Sequence, residues 1–296
     1  MCVKWRKNIG ITMGKQDDRY LWESEKEDSF PEIKFFQFFV GLARLFFFLP
    51  FTLALIPIFF MCKFLYIKTG IKLPMLTIRQ FWSFASLRLF GLRLRVHGKQ
   101  DFDAGILVCN HVSWLDILAI QSASDVVFVA KSEVKTWPGL GFLAKLADTL
   151  FVERKPQKIE MHSREAEEII LMGETLCFFP EGTSSDGLRV LKFRSGFFQL
   201  AYNSVLENLT SGFQIQPLSL FYSPNRTSES KDFYGWWGSM SLFAHIVKVL
   251  CLSSGSIQLK FHTPIGSKDY PTRKQLATAA EAVIRSEIEC NIKKSN

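Results

Sequence analysis

The stretch from Phe35 to Cys62 constrains this chain more than any other part of its sequence. Its 28 residues carry one charge, Arg44, and residues 45–62 carry none. At about 1.5 Å per residue, an uncharged helix of about 18 residues spans about 27 Å, close to the ~30 Å hydrocarbon thickness of a bilayer. A helix that is apolar all round is buried in a large core or in lipid. We therefore predict an N-terminal membrane-embedded helical segment.

A second apolar stretch follows at residues 76–92, where Arg79 and Arg88 are the charged residues. Pro50 and Pro57 interrupt the first stretch, and turn-forming residues at 68–74 separate the two. Two arrangements fit this pattern. One is a single crossing of the bilayer, and the other is a helical hairpin that lies in one leaflet with its arginines reaching the headgroups.

The positive charge of the chain is concentrated directly after the first apolar stretch. The net charge is +8, and residues 63–99, the basic band, hold 8 basic and no acidic side chains. Residues 1–34 hold 7 of each sign, and residues 100–296 hold 20 basic and 21 acidic. A nucleic-acid-binding domain usually carries its basic patch on the folded body. A basic band beside an apolar segment favours a membrane with anionic lipids as the partner and no nucleic acid.

Several classes of protein are excluded by composition and motifs. With 48% hydrophobic and 22% charged residues, the chain is too apolar to be disordered. Its six cysteines form no Cys-x-x-Cys pair, and no histidine lies at metal-ligand spacing, so we expect reduced thiols and no metal. The first 30 residues lack the continuous apolar region of a secretory signal. We expect the folded body to remain in the cytoplasm.

After Lys99, short apolar runs alternate with longer amphipathic segments. This alternation predicts an α/β fold with a mixed, mostly parallel sheet flanked by helices. The predicted strands are residues 106–109, 126–130, 150–152, 176–179, 215–221 and 257–261, and the predicted helices are 113–122, 156–172, 197–209 and a tail helix after residue 271. The predicted organisation is a polar segment at 1–34, membrane-anchoring helices with the basic band at 35–99, and an α/β domain at 100–296.

Polar residues follow the first of these strands. Ser113 and Asp116 have the spacing of a helix capping box, which needs no chemistry. His111 lies just outside that cap, where its ring can meet the Asp116 carboxylate. A carboxylate on one imidazole nitrogen fixes the tautomer and stabilises the imidazolium, which makes the other nitrogen a competent base. We predict that His111 and Asp116 form a catalytic pair within the cap.

A second polar segment follows the strand at 176–179. In Glu181-Gly182-Thr183-Ser184, small residues present N–H groups and hydroxyls that suit an oxyanion or a phosphate, and Lys192 and Arg194 follow closely. A simple turn also explains such a segment. The chain has no Gly-x-Ser-x-Gly, Gly-x-x-x-x-Gly-Lys or His-Glu-x-x-His motif. A serine acyl-enzyme, a nucleotide cradle and a zinc hydrolase therefore have no support.

Taken together, these motifs resemble those of the 1-acylglycerol-3-phosphate acyltransferases, the PlsC-type glycerolipid acyltransferases. The resemblance covers residues 106–222, and the apolar N-terminal part is similar to the membrane helices of that family. One motif alone is a weak signal, whereas four in register are specific. They are Asn110-His111 with Asp116 after four more residues, Phe151-Val152-Glu153-Arg154, Phe179-Pro180-Glu181-Gly182-Thr183, and Ile215-Gln216-Pro217-Leu218.

The resemblance implies transfer of a fatty acyl group from acyl carrier protein or coenzyme A to the free hydroxyl of 1-acylglycerol-3-phosphate, giving phosphatidic acid. His111 would take the hydroxyl proton and Asp116 would orient it. Glu181, Gly182 and Thr183 would bind the acceptor headgroup, and Arg154 would pair with its phosphate. The implied location is a bacterial inner membrane with the catalytic domain on the cytoplasmic face. The thioester is a co-substrate, and no cofactor or metal is implied.

One position departs from the family pattern. An arginine commonly follows Glu-Gly-Thr in that family, whereas Ser184 stands here. Either Lys192 or Arg194 supplies the charge for a phosphate, or the acceptor is not a phosphate monoester. The continuation Ser184-Ser185-Asp186-Gly187 resembles a bacterial branch that includes lyso-ornithine lipid acyltransferases, so this acceptor is the enzymatic alternative. A non-catalytic membrane lipid-binding protein is the alternative from another class, and the intact His111 and Asp116 argue against it.

Overall fold

The computed structural model describes Trp22 and residues 31–153, 155–203, 206, 213–225 and 230–294. Two antiparallel helices, α1 (Phe35–Thr69) and α2 (Leu73–Leu89), precede the α/β body. Gly70 caps the carboxyl end of α1, with a positive φ of 73° that suits glycine and an N–H that donates to the Tyr66 carbonyl. Pro50 and Pro57 lie inside α1, so the predicted interruption is wrong. Neighbouring elements can hold the turns of a helix in place around proline.

The eight strands that the structure describes form one sheet. They are β1 (Leu92–His97), β2 (Ala104–Cys109), β3 (Val127–Lys131), β4 (Leu150–Val152), β5 (Leu176–Phe178), β6 (Gln214–Pro224), β7 (Gly255–Phe261) and β8 (Ile265–Gly266). Their order is β1-β7-β6-β2-β5-β3-β4, with β8 beside β6. β2 to β6 are mutually parallel, β7 and β8 run antiparallel to β6, and β1 is parallel to β7. The predicted mixed, mostly parallel sheet is confirmed.

Helices cover both faces of this sheet, as predicted. They are α3 (Leu115–Gln121), α4 (Leu140–Leu146), α5 (Ile159–Leu171), α6 (Leu242–Leu252) and α7 (Arg273–Lys294). One core cluster joins the sheet to α2, α3 and α6, and a second joins its other face to α5 and α7. α1 packs outside the first cluster against α2 and α6. The sheet is thus buried on both sides, which explains why its central strands are uniformly apolar.

The first strand was not predicted. β1 consists of residues that the sequence analysis placed in the membrane-anchoring part, so the sheet begins before the predicted boundary at residue 100. Its alternation of leucine and arginine is a strand signal that the basic band obscured. The predicted helix at 197–209 is a short 3-10 helix at Phe197–Tyr202. Most of the remainder of that prediction lies outside the described residues.

Three basic residues of the hairpin tie it to the α/β body at both ends. Arg44 of α1 donates to the Leu250 carbonyl at 2.9 Å and to the Ser253 carbonyl at 3.0 Å, at the carboxyl end of α6. Nineteen residues further along α1, Lys63 pairs with Asp148 at 2.6 Å. Lys72, in the turn before α2, pairs with two carboxylates of the body, Asp125 at 2.7 Å and Glu174 at 2.5 Å. The hairpin therefore lies along the body.

The other face of α1 is apolar and open. Among the described residues, α1 is the helix long and apolar enough to cross a membrane, with a mean hydropathy of 2.4 over a window that is 11% buried. Its exposed side chains include Phe36, Phe46, Phe47, Leu53, Phe60, Phe64 and Ile67. An exposed apolar surface of this extent is typical of a membrane-binding or protein-binding face.

Candidate active site

His111 and Asp116 meet at the edge of the sheet where the parallel strands end. β2 ends at Cys109, two residues before His111, and α3 begins at Leu115. The Nδ1 atom of His111 lies 2.8 Å from Oδ2 of Asp116. Asp116 is fully buried, whereas the His111 side chain is 20% exposed. The predicted contact is confirmed, and it leaves Nε2 as the nitrogen that can accept a proton from a substrate.

Asp116 is held by a set of donors. Its Oδ2 also accepts the backbone N–H groups of Val112 at 2.7 Å and Ser113 at 3.0 Å. Its Oδ1 accepts the hydroxyl of Tyr222, on β6, at 2.8 Å. Burial and the neighbouring carboxylate raise the pKa of Tyr222 well above its ordinary value, so the phenol remains a donor. These bonds fix the Asp116 carboxylate and hence the imidazole.

The loop that carries His111 is joined to β6 and to the segment that follows β5. The Asn110 side chain exchanges two hydrogen bonds with the backbone of Leu220 on β6, at 2.8 and 2.9 Å. The Ser185 N–H donates to the His111 carbonyl at 2.9 Å. The His111 ring stacks on Phe179 with ring centroids 4.1 Å apart and planes 17° apart. The imidazole is therefore fixed by packing as well as by hydrogen bonds.

Glu181 is part of the same hydrogen-bond network. Its Oε1 accepts the N–H of His111 at 2.8 Å, and its Oε2 accepts the N–H of Leu191 at 2.9 Å. The residue is 3% exposed, and burial raises its pKa to about 8. As placed, the carboxyl group joins the His111 loop to the segment at 191–194. Its predicted role as a direct headgroup ligand stays a prediction.

The other predicted binding residues lie around this network. Gly182 has a φ of 75° and Thr183 is half-buried after it. Lys192 and Arg194 are exposed, and the Arg194 N–H donates to the Pro180 carbonyl at 2.9 Å, which holds their segment beside the Glu181 turn. Arg154 lies outside the described residues. The structure thus places five of the six predicted binding residues near the same edge and leaves their contacts with a substrate as predictions.

Ser184 stands where the family pattern has arginine, and it is buried. Its hydroxyl donates to the carbonyl of Trp236, while the Trp236 N–H donates to the Val112 carbonyl at 2.9 Å. Ser184 therefore helps to attach the segment around Trp236 to the His111 loop. A serine engaged in this way offers neither charge nor a free hydroxyl to a phosphate.

Two cysteines near the ends of β2 and β5 are poor nucleophiles. Cys109 and Cys177 are fully buried, and burial raises the pKa of both thiols well above the ordinary value. A cysteine attacks as its thiolate, so both are chemically inert here. No group of three or more possible metal ligands occurs within the part of the chain that the structure describes.

The sequence analysis missed Tyr222 and Phe179 as parts of the site. Tyr222 lies 106 residues after Asp116, at the end of the region that resembles the family, and its spacing predicts no contact with Asp116. Phe179 belongs to a motif, but the sequence does not predict that it stacks on His111. A buried phenol on a strand that ends beside a histidine is the signal that could have identified Tyr222.

A His–Asp pair at the carboxyl edge of a mostly parallel sheet defines a class of α/β proteins that are equipped for general-base chemistry. Comparison with known proteins narrows this class. Residues 93–220 match the sequence model of the Acyltransferase family. The chain is 39% identical to a lyso-ornithine lipid O-acyltransferase of Rhodobacter capsulatus, over 67% of this chain and 71% of the relative. The chain belongs to the Acyltransferase family.

Other relatives are named for one or the other of the two acceptors. A lyso-ornithine lipid O-acyltransferase of Rhizobium meliloti is 34% identical over 76% of this chain and 78% of its own length. A 1-acyl-sn-glycerol-3-phosphate acyltransferase of Neisseria gonorrhoeae is 41% identical, over 34% of this chain and 40% of its own. The crystal structure of the acyltransferase PlsC from Thermotoga maritima superposes with a TM-score of 0.60 at 20% identity, covering 86% and 96% of the two chains. This last likeness concerns the fold alone.

Proposed function

We propose that the protein transfers a fatty acyl group from a thioester to the hydroxyl of lyso-ornithine lipid. The observation that carries this choice is Ser184, which is buried and hydrogen-bonded to a backbone carbonyl where the family pattern has a phosphate-binding arginine. Ornithine carries a carboxylate and an amine, so its lipid presents no phosphate monoester. The relatives of Rhodobacter capsulatus and Rhizobium meliloti, which match over 71% and 78% of their own length, carry this acceptor in their names, whereas the Neisseria gonorrhoeae relative named for the other acceptor matches over 40% of its length.

In the proposed reaction, Nε2 of His111 removes the proton from the acceptor hydroxyl as the oxygen attacks the thioester carbonyl. A tetrahedral oxyanion forms, and its collapse expels the thiolate, which takes the proton back from the imidazolium. Asp116 stabilises that imidazolium and keeps the ring in one orientation. The products are the acylated lipid and free carrier thiol. Acyl carrier protein and coenzyme A both carry fatty acyl groups as thioesters, so either can be the donor in this reaction.

We also propose that the hairpin of α1 and α2 lies in one leaflet. Arg44 and Lys63 are 19 residues apart, which is about 28 Å of helix, and both bind the α/β body. A helix that crossed the ~30 Å hydrocarbon layer would carry one of these residues away from the body. In this arrangement the body lies on one side of the membrane, which we take to be the cytoplasmic side.

An assay with two acceptors tests the proposed function. The purified protein is given one acyl thioester and either lyso-ornithine lipid or 1-acylglycerol-3-phosphate, and products are separated by mass. We expect a higher kcat/KM with lyso-ornithine lipid. The variant His111→Ala is expected to lower turnover with that acceptor by at least about 100-fold, because general-base catalysis contributes ~10² to 10⁴.

Higher kcat/KM with 1-acylglycerol-3-phosphate would instead support that acceptor, for which Lys192 and Arg194 are the candidate phosphate ligands. Near-normal turnover by His111→Ala would contradict the catalytic role of the imidazole. Binding of lysolipid with no consumption of thioester would favour a lipid-binding protein. Circular dichroism of the variant is the control for its fold.

A further inference from the structure

A second polar site lies beneath the helical hairpin. A cavity of about 70 Å³ is lined by residues of α1, α2, α4 and the end of α3. Its walls are largely apolar, and they include Leu55, Phe59, Ile78, Trp82, Leu143 and Leu146. Thr52 of α1, whose hydroxyl accepts the indole N–H of Trp82 at 3.0 Å, also lines it. An arginine and a glutamine complete the lining, Arg79 of α2 and Gln121 at the end of α3. We define these two residues and the cavity as the Arg79 site.

Arg79 and Gln121 are both more than nine-tenths buried. Arg79 is 8% exposed and Gln121 is 5% exposed. One Arg79 nitrogen, Nη2, donates to the Val126 carbonyl at 2.9 Å and to Oε1 of Gln121 at 3.2 Å. Within the part of the chain that the structure describes, the Arg79 Nε and the Gln121 Nε2 have no hydrogen-bond partner. Two donors on side chains that contact each other are thus available, and one belongs to a charged guanidinium.

The carboxylates closest to Arg79 are already paired with other residues. Asp125 and Glu174 both bind Lys72, and Asp148 binds Lys63. Arg79 itself forms no ion pair among the described residues. Asp125, Asp148 and Glu174 favour the charged form of Arg79 without forming an ion pair with it. Its buried Nε still lacks an acceptor, and a buried donor without an acceptor is costly. The site therefore fits an anion that accepts two hydrogen bonds.

The Arg79 site is separate from the His111 site. Val126 and Asp125 lie just before β3, and Lys72 binds near the start of β5, so Arg79 lies near the end of the sheet at which the parallel strands begin. His111 follows the opposite ends of these strands. A ligand at Arg79 is thus not the acceptor that His111 deprotonates.

We propose that the Arg79 site binds the carboxylate of a fatty acid, with the start of its chain against the apolar wall. A carboxylate is planar and has two accepting oxygens, which match the Arg79 Nε and the Gln121 Nε2. A cavity of 70 Å³ has room for such a headgroup, since a water in the liquid occupies about 30 Å³. The exposed apolar face of α1 beside the cavity is where an amphiphile would arrive.

Decanoate is the probe, and calorimetric titration of the full chain in a nonionic detergent measures its binding. Decan-1-ol, with the same chain and no charge, is the first comparison, and decyl phosphate is the second. We expect saturable binding of one decanoate per chain, at least about tenfold tighter than binding of decanol. The variant His111→Ala should bind decanoate as the unmodified protein does.

Gln121→Glu is the decisive variant. It places a carboxylate against Arg79 and should weaken decanoate binding by at least about tenfold, while the new internal pair raises the melting temperature. Gln80→Glu is the matched control, since Gln80 lies beside Arg79 on α2 and donates to the Ser124 carbonyl at 3.4 Å without lining the cavity. It should bind decanoate normally. Should Gln121→Glu not fold, Arg79→Met serves instead, and decanoate and decanol should then bind alike.

Equal binding of decanol and decanoate by the unmodified protein would overturn the proposal. So would unchanged decanoate binding in Gln121→Glu, or the absence of saturable binding. Loss of binding in His111→Ala would place the fatty acid in the candidate active site and would also overturn it. Tighter binding of decyl phosphate than of decanoate would overturn the assignment to a carboxylate. None of these outcomes depends on which acceptor is acylated.

Discussion

Asp116 is the residue on which the geometry of the candidate site depends. It is fully buried, and its two oxygens lie within hydrogen-bond distance of four groups, namely two backbone N–H groups, the Tyr222 hydroxyl and the His111 ring. A buried carboxylate is tolerated only when its oxygens are satisfied. The same bonds that stabilise the charge therefore fix the position of the His111 imidazole.

Tyr222 is predicted to be a positioning residue. The change Tyr222→Phe removes one donor from Asp116 and leaves its Oδ1 without that partner, which costs about 1–3 kcal/mol of stability. Because the carboxylate can then rotate, we expect kcat to fall by about tenfold, equivalent to ~1.4 kcal/mol of transition-state stabilisation, with little change in KM. Steady-state kinetics of Tyr222→Phe and the unmodified protein measure both kcat and KM.

The matched control is Tyr234→Phe, because Tyr234 stacks on Tyr222 and has no hydrogen bond to Asp116. That variant should keep its kcat. A merely structural role for Tyr222 would reduce the melting temperature of both variants and leave kcat unchanged in the fraction that is folded. The last result would contradict positioning.

Glu181 is predicted to make stability depend on pH. Burial raises its pKa from an ordinary 4.5 to about 8. Between these values the folded state holds a proton that the unfolded state releases, so the contribution of Glu181 to stability is present below pH 4.5 and is lost as pH rises toward 8. The side chain in Glu181→Gln cannot titrate. The substitution also replaces one hydrogen-bond acceptor with a donor, which lowers the stability of the folded state by about 1–3 kcal/mol.

Melting temperatures of the unmodified protein and of Glu181→Gln, measured between pH 5 and 8, test this dependence of stability on pH. We expect the variant to melt below the unmodified protein at pH 5 and the difference to shrink as pH rises. Parallel curves would show that Glu181 does not titrate in this range. Glu289→Gln, at an exposed position of α7, controls for loss of a charge.

At the scale of elements, the hairpin of α1 and α2 is the part of the molecule that we propose meets the membrane. Of the eight basic residues in the basic band, Lys63, Lys72 and Arg79 bind groups of the α/β body. The expectation that the whole band faces anionic lipids therefore applies only to the others. Some basic side chains of this band therefore bind the hairpin to the body, and the others remain available to anionic lipids.

Cysteine labelling distinguishes the one-leaflet hairpin from a single crossing. Glu32→Cys and Lys68→Cys place single thiols at the two ends of α1, in a background where Cys2 and the exposed Cys290 are changed to serine. We expect an impermeant maleimide to reach both thiols from the same side of membrane vesicles, since Arg44 and Lys63 both bind the body. Labelling from opposite sides would show a crossing.

At the scale of the whole molecule, membrane attachment is predicted to depend on apolar area more than on charge. The exposed side chains of α1 are mostly phenylalanine, leucine and isoleucine. At ~1 M salt the Debye length falls to ~3 Å, so attraction to anionic lipids is screened while burial of apolar surface is not. We expect sedimentation with membranes to persist through a ~1 M salt wash and to end with detergent. Release by salt alone would contradict this.

Much of the fold and part of the candidate site can be predicted from local sequence. Residues 35–62 are too apolar to be solvated on all sides, and strands buried on both faces must be apolar throughout, so the membrane segment and most of the sheet were predictable. His111 and Asp116 are five residues apart, and the turn between a strand and a helix suffices to bring them together. The pair was therefore predictable from spacing.

Tertiary structure decided what depends on residues far apart in the chain. Tyr222 reaches Asp116 because β6 lies beside β2, and Ser184 is buried because its loop packs on Trp236. Arg79, predicted to extend to lipid headgroups, instead faces a cavity because α2 packs on α3. The direction in which such a side chain points is set by helix and sheet packing, which contacts between distant segments determine and local propensity does not.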